Sequence, residues 1–508
     1  MSSSCCSSLS DSASRDEIPG YGATGTSDRA HSPASSRSFN KSKEIPTPLP
    51  RLQILIILCI QFAEPITSTV IFPFINQLVR ETGITGGDER KTGYFAGIIE
   101  SLFYAAEALT VVLWGRGSDI YGRKPILLVG LLGMAVSILS FGLSNNYFLL
   151  LVSRAAQGVF NGNIGVTKGV MGEITDASNV AQAFAFIPTM WSTGLTVGPI
   201  IGGVLARPAE EYPNTRIGKI PLLKTYPYLL SCAGAALVPV VSFVLALLFL
   251  KETLPSKNAV GKRHAADGIA PEDATACDVP HSPVIPIKDL LIERVLTPIY
   301  NYIFLAFMDQ SIQVLLALLY STHIQYGGLG FDNFTIGVIM GSWGLGNGVF
   351  QVYALPFLLR KLGIRGLYRL GFGSYIVSLA FFPLLSLLAK RAGRVDGLVW
   401  AAIVLHLMVY SLPFLCYGCI FVYISDGSPG TNSLGTTNAL AQLAASTIRA
   451  VAPICASSLF SFSLESGIAG GTLVYWVLML VVLAGLAFSA KLPESLLSEK
   501  EEEGEREA

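Results

Sequence analysis

The sequence predicts an all-α membrane protein with twelve transmembrane helices in two pseudo-repeated six-helix halves, and three observations carry that prediction. Hydrophobic residues make up 51% of the 508 positions and charged residues only 14%, with a mean hydropathy of +0.54. Soluble globular chains carry roughly 25% charged residues. Apolar stretches of about 20 residues, enough to cross a hydrocarbon core of roughly 30 Å, recur along nearly the whole chain. Short motifs also recur at matching places in the first and second sets of six.

Taken in order, the spans fall near 52–79, 94–114, 125–144, 147–168, 183–206 and 226–250, then near 298–324, 334–359, 367–389, 398–424, 433–461 and 467–490. The first 50 residues are polar, and the apolar run that follows is too long and too far in to be a signal peptide, so it is read as the first transmembrane helix. Residues 1–50 form a Ser-rich tail that cannot bury a core and is expected to be disordered. Residues 51–250 form the first half, 251–296 a linker rich in charge, Pro and Gly, 297–490 the second half, and 491–508 an acidic tail. An even number of spans puts both termini on one side. Arg37, Lys41, Lys43 and Arg51, then Arg116, Arg123 and Lys124, then Arg360, Lys361 and Arg365 assign that side to the cytoplasm. Arg90, Lys91, Arg207, Arg216, Lys219, Lys224, Lys390, Arg391 and Arg394 lie on the other side and run against the assignment.

A net charge of zero gives no reason to expect a nucleic-acid partner. Cys416 and Cys419 form a CxxC inside an apolar span and read as small core residues, not as a redox or metal pair. Cys5 and Cys6 lie in the Ser-rich tail. The five His are scattered, and the chain has no HExxH, no paired intramembrane aspartates with proteolytic flanks and no Ser/His nucleophile pattern. Neither an enzyme nor a metal or cofactor site is therefore expected.

Internal repetition appears in two places. "GPIIGGVL" (Gly198 to Leu205) in span five is echoed by "APICASSL" (Ala452 to Leu459) in span eleven, and "GRGSDIYGRK" (Gly115 to Lys124) after span two is echoed by "PFLLRKLGIR" (Pro356 to Arg365) after span eight. Many secondary transporters are built from such duplicated units, with the site at the interface of the repeats near the midplane.

The motifs also carry a family resemblance. "GRGSDIYGRK" resembles the loop signature G-x-x-x-D-x-x-G-R-K of the major facilitator superfamily, matching at Gly115, Asp119, Gly122, Arg123 and Lys124. "SRAAQGVFNG" (Ser153 to Gly162) resembles the family's fourth-helix motif through Arg154, Gln157 and Gly158. "GLTVGPIIGG" fits G-x-x-x-G-P-x-x-G-G at Gly194, Gly198, Pro199, Gly202 and Gly203, the motif associated with the antiporter branches. The likeness covers roughly residues 50–490 and is nearest to the twelve-span fungal and plant members grouped with multidrug:proton antiporters. It implies that the loop after span two is a conformational latch, with Asp119 meeting Arg123 and the positive end of a nearby helix. Arg360 stands where Asp119 stands in the first half, so the latch is expected to be asymmetric. Gly194, Gly198 and Gly202 form a small-residue strip for close helix contact, and Pro199 bends its helix. Together they are expected to seal the pathway while the halves rock.

Ionisable side chains inside a membrane are costly and mark function by default. Gln61, Glu64 and Ser68 make one polar stripe in span one, while Arg154, Gln157, Asn161 and Lys168 follow one another in span four. Asp309 and Gln313 lie one turn apart in span seven, and His406, Tyr410 and Tyr417 share a face of span ten. Spans one, four, seven and ten are the cavity-lining helices of the family's fold. Glu64 and Asp309 fall about 18 and 17 Å into their spans at 1.5 Å per residue, close to the middle. Desolvation there favours a neutral carboxyl and a nearby cation favours a charged one, which makes a group able to load and release a proton. Glu64 is the expected principal proton site, with Arg154 its modulating cation and Asp309 a second site or substrate contact. Glu100 and Glu107 on span two are lesser candidates, and Arg449 in span eleven is a partner for Asp309 or an anion contact.

The expectation is a secondary transporter that moves a small organic solute by alternating access, as a proton antiporter exporting it from the cytosol. Proton symport for nutrient uptake is the alternative, and a membrane transceptor is a further one. The carrier is expected to work as a monomer in the bilayer, in a plasma or vacuolar membrane, with both termini cytoplasmic. Its partners are the solute and protons.

Overall fold

A computed structural model describes residues 50–175, 183, 186–254, 291–428 and 434–494. The Ser-rich tail up to residue 49, with Cys5 and Cys6, the linker from 255 to 290 and the acidic tail from 495 lie outside the described residues. Every regular element among the described residues is helical. Among the described residues, eight stretches are long and apolar enough, by length and composition, to cross a membrane.

The first half begins with α1 (Arg51–Thr69) and α2 (Ile75–Glu81), which divide the first expected span at a turn containing Pro73. Next come α3 (Thr92–Tyr121) and α4 (Arg123–Gly142). No loop separates α3 from α4, contrary to the sequence expectation. Gly122 alone leaves the helix, at φ 103° and ψ 155°, a left-handed φ that a side chain would strain. Helices α5 (Tyr147–Asn161) and α6 (Ile164–Glu173) occupy the fourth expected span, broken at Gly162 and Asn163. The Val159 carbonyl beside this break accepts from the Trp114 indole at 2.6 Å and the Thr110 hydroxyl at 3.2 Å, both on α3. The half continues with α7 (Phe186–Val204), the short α8 (Pro208–Glu211) and α9 (Pro221–Thr225), and then α10 (Leu229–Phe249).

In the second half, α11 (Glu293–Ser321) is followed by the 60-residue α12 (Asn333–Ala392). The loop expected near 360–366 is instead a kink at Gly363, with φ 66° and ψ 171°. Then come α13 (Gly397–Tyr410), a 3₁₀ turn at Leu412–Phe414, α14 (Leu415–Asp426), α15 (Leu434–Ser466) and α16 (Leu473–Ser489).

The sequence echoes have spatial counterparts. Beyond Gly122, Lys124 Nζ donates to the Leu247 carbonyl at 2.9 Å, and the backbone N–H of Arg123 and Lys124 donate to Glu252 at 2.9 and 3.2 Å. Beyond Gly363, Arg365 donates to the Ala490 carbonyl at 2.5 Å and to Glu494 at 2.6 Å. In each half, then, a cation just past the left-handed glycine holds the end of that half's last helix, and the carboxylate that follows it is held by backbone N–H groups in the first half and by the Arg365 guanidinium in the second.

Two seams join the halves. A Cβ on Gly97 of α3 would lie 3.0 Å from the carbonyl of Pro453 in α15, and a Cβ on Gly337 of α12 would lie 2.5 Å from the carbonyl of Pro199 in α7. Both seams lie toward the end of the bundle that carries residues 82–91 and 322–332. Arg80 donates to the Ser321 carbonyl at 3.3 Å there, and the His323 N–H donates to Glu89 at 3.3 Å. The ties made by Arg123 and Arg365 at the opposite end each stay within one half.

Candidate functional site

The buried polar groups converge from α1, α3, α5, α6, α11 and α15. Arg154 is wholly buried, and its carboxylate partner is Glu100 on α3 at 3.2 Å. This corrects the expected pairing with Glu64. The guanidinium also donates to Gln157 Oε1 at 2.8 Å and to the Ser68 carbonyl at 3.4 Å, and lies 4.4 Å from the centre of the Phe103 ring. Gln157 in turn donates to the Thr67 carbonyl at 3.0 Å. Arg154 thus fastens α5 to α1 and α3.

Glu64 faces a different set of charges: Glu107, Lys168 and Arg449. Asn161 donates to Glu107 at 3.0 Å. Glu107 also accepts from Ser446 of α15 at 3.4 Å, and Lys168 donates to Gln442 of the same helix at 3.3 Å. Both contacts cross between the halves. Glu64 Oε2 and Gln61 Oε1 are buried without a hydrogen-bond partner among the described residues.

On α11, Asp309 accepts from Tyr417 at 2.7 Å, Gln313 at 3.1 Å and Tyr410 at 3.3 Å. Arg449 supplies the nearby positive charge. His406 is not part of this group. Its Nε2 pairs with Ser378 Oγ at 2.9 Å, and its ring packs between Phe381 and Phe382. Cys416 and Cys419 are buried free thiols, and Cys416 donates to the Tyr368 carbonyl at 3.3 Å.

In the latch segment, Asp119 pairs with Arg123 at 2.7 Å. Arg123 also holds Glu173, at the end of α6, through two bonds of 2.8 and 3.0 Å. The positive end of α4 is capped by Glu252, which takes the part expected of Asp119. Gly115 lies inside α3, and a Cβ there would meet nothing within 4 Å, so close packing does not require it.

In the Gly-rich strip, a Cβ on Gly194 would strike Pro65, one on Gly198 would strike Thr69 and one on Gly202 would strike the Val70 carbonyl. These three glycines therefore seat α7 on the first helix of its own half. Gly203 faces the other way, where its Cβ would lie 2.5 Å from the Asn333 carbonyl and 2.7 Å from Gly337 Cα on α12. Gly337, Gly341 and Gly344 line the opposite wall. Sequence reasoning missed that stripe, although its small-residue spacing is visible in "GVIMGSWG".

Buried carboxyls and cations enclosed by helices of both halves define a membrane carrier. The family model described as the Major Facilitator Superfamily matches residues 57–453, and the chain belongs to that family. It is 30% identical over 483 residues to the major facilitator-type transporter psiT2 of Psilocybe cyanescens, covering 88% of this chain and 90% of that one. It is 28% identical over 515 residues to the major facilitator superfamily multidrug transporter mfsB of Aspergillus fumigatus, covering 88% and 84%. Among solved structures, a D-xylose–proton symporter superposes with a TM-score of 0.65 at 15% identity, over 87% of this chain and 98% of that one. The protein is accordingly a multi-pass membrane carrier of small solutes and not an enzyme.

Proposed function

We propose that this carrier exports a small organic solute from the cytosol in exchange for protons. The observation that carries the proposal is the composition of its interior: buried Glu64, Glu100, Glu107 and Asp309 stand with buried Arg154 and half-buried Lys168 and Arg449. Four carboxyls face three cations, so one bound proton brings the set to neutrality. Glu64, whose Oε2 has no hydrogen-bond partner, is the carboxyl we assign to that proton. Glu107 carries the consequence across the interface, because the Ser446 hydroxyl of the other half leans on its oxygen.

The twelve-span reading in two six-helix halves is supported by splitting α12 at Gly363 and counting three pieces as spans in their own right: α5 with α6, α7, and α16. In the proposed orientation both termini and the latch residues Gly115, Asp119, Gly122, Arg123 and Lys124 face the cytoplasm, and the glycine seams close the outer end. Gly194, Gly198 and Gly202 hold α7 as one unit with α1, while Pro199 and Gly203 meet the opposing half. The protein acts as a monomer in the plasma or vacuolar membrane. The same charges serve symport in the uptake direction; export is favoured by the similarity to a protein of Aspergillus niger named efflux pump azaK, 28% identical over 452 residues.

Reconstitution into proteoliposomes under an imposed pH gradient, with a panel of organic compounds, tests the reading. Gradient-driven flux is expected in the wild type. In Glu64→Gln that flux is expected to be lost, while solute exchange without net proton movement survives. Full gradient-driven transport by a stable Glu64→Gln protein moves the proton to Asp309 or Glu107, and absence of flux in the wild type refutes the coupling.

A further inference from the structure

The helix ends that precede "KETLP" in the first half and "KLPES" in the second are not finished alike. In the first half, Gln53 ties α1 to the end of α10: its Nε2 donates to the Phe249 carbonyl at 2.9 Å, and its Oε1 accepts from the Lys251 N–H at 3.0 Å. In the second half, α11 and α16 meet at the corresponding place through aromatic rings, with Phe488 5.4 Å from Phe304 and 6.3 Å from Tyr300. Among the described residues, no hydrogen bond joins the two helices there. What remains is a cleft of about 200 Å³, lined by Glu293, Leu296, Thr297 and Tyr300 of α11 and by Phe488 and Lys491 at the end of α16. Along α11 the lining runs from the charged rim at Glu293 to Tyr300, roughly 10 Å further in. Glu293 and Lys491 are exposed and opposite in charge, yet neither makes an ion pair within 4.0 Å, with the other or with any other described residue. Lys491 Nζ lies 5.4 Å from the centre of the Phe488 ring.

We infer that this cleft holds a membrane phospholipid whose headgroup carries a phosphate and a primary ammonium, of the phosphatidylethanolamine class. Lys491 Nζ donates to the phosphate, and the Glu293 carboxylate accepts from the ammonium, each by a charge-assisted hydrogen bond. An acyl chain lies over Phe488 and along Leu483 and Leu480, which are exposed on α16 at the helical spacing that leads to Lys491. Leu480 lies roughly 16 Å from Lys491 along the helix, about the depth of one leaflet. Two opposite charges left apart at one rim match a zwitterion whose own charges are apart. A headgroup with phosphate alone leaves Glu293 facing a like charge, and a trimethylammonium gives it no hydrogen to accept. The lipid thus joins α11 to α16 where Gln53 joins α1 to α10, next to the Ala490 carbonyl that receives Arg365 at 2.5 Å. The inference goes beyond the export reading and is independent of what is carried, in which direction, and by what coupling.

The test uses the full chain purified in detergent and three lipids with identical acyl chains: phosphatidylethanolamine, phosphatidylcholine and phosphatidylglycerol. Native mass spectrometry counts the lipid retained, and the thermal unfolding midpoint follows stabilisation. Phosphatidylethanolamine is expected to be retained about tenfold more tightly than either of the others, the worth of one charge-assisted hydrogen bond. Lys491→Gln and Glu293→Gln are each expected to weaken its retention by about the same factor, with Lys491→Arg close to wild type. Glu293→Gln is also expected to bring phosphatidylglycerol level with phosphatidylethanolamine, a signature that mere loss of folding does not produce. Equal retention of the three lipids by the wild type, retention of none, or phosphatidylglycerol ahead of phosphatidylethanolamine overturns the inference. So does a preference for phosphatidylethanolamine that survives in both neutral variants. Soluble phosphoethanolamine raising the unfolding midpoint as far as the whole lipid does overturns the membrane as its source. Each of these failures leaves the carrier reading standing, which proteoliposome flux tests separately.

Discussion

The Arg154–Glu100 pair gives the most direct test of how the charges are partitioned. In Glu100→Gln the wholly buried guanidinium of Arg154 loses its carboxylate at 3.2 Å but keeps Gln157 at 2.8 Å, the Ser68 carbonyl at 3.4 Å and the Phe103 ring. Breaking a buried pair from one side costs about 3–5 kcal/mol because the remaining charge stays out of water. The amide introduced can still accept a hydrogen bond, so a loss near the lower figure is expected. Glu64→Gln should cost far less, since Glu64 makes no ion pair and leaves Oε2 without a partner. Replacing both members, as Glu100→Leu with Arg154→Met, should recover most of the loss, because a buried pair exchanged whole for apolar residues is often close to neutral. Thermal unfolding midpoints and the monodisperse yield in detergent measure all three. Glu64→Gln as damaging as Glu100→Gln, or a double variant no more stable than the single one, refutes the partition.

Two other predictions concern the moving parts. Gly337→Leu puts a side chain where even a Cβ lies 2.5 Å from the Pro199 carbonyl. Overpacking of about 1–3 kcal/mol is enough to shift a two-state equilibrium roughly fivefold to 150-fold toward forms parted at this seam, read as increased thiol labelling of a cysteine placed there and reduced transport; unchanged labelling refutes the seam. Asp119→Asn removes an exposed partner of Arg123 worth about 0–1 kcal/mol, so it should lower transport less than Glu173→Ala, which removes two bonds to the same guanidinium and one from Thr253 at 2.5 Å. A larger defect in Asp119→Asn, at equal expression, contradicts that ranking.

Much of this was legible in the sequence, and the rest was hidden for physical reasons. Helix positions follow from apolar length, and eight stretches among the described residues are long and apolar enough to cross a membrane. The breaks are harder to read because they depend on which side chain takes a freed carbonyl, as Trp114 and Thr110 do at Val159. Depth alone marked Glu64 and Asp309 as buried. It could not say which carboxyl meets Arg154, because that depends on the rotation of α3 against α5, and a hydrophobic helix carries little information about its own rotation. Glu252 was unreadable as a cap because it lies just beyond the apolar stretch, in what looks like linker. Comparing the chain just past both halves, "KETLP" with "KLPES", is the signal that would have found it together with Glu494.

The doubled parts and the single parts of this molecule do different work. Left-handed Gly122 and Gly363 and the cations at 124 and 365 on the ends of α10 and α16 occur once in each half, and each half lends one glycine and one proline carbonyl to the two seams between them. They are contacts of backbone and shape, the kind that lets two similar bodies rock symmetrically. The charges do not repeat. The first half contributes Glu64, Glu100, Glu107, Arg154 and Lys168 to the interior, while the second contributes Asp309 and Arg449. In the proposed carrier, duplication accounts for the motion but not for what drives it. On the proposed reading, proton binding belongs chiefly to the first half, and the second answers through the two places where its α15 touches that charge, Ser446 on Glu107 and Gln442 on Lys168. Exchanging these two side chains for Ala should leave each half folded, and the doubled skeleton intact, while weakening the dependence of transport on the pH gradient; a double Ala variant with unaltered gradient dependence would show that the signal crosses elsewhere.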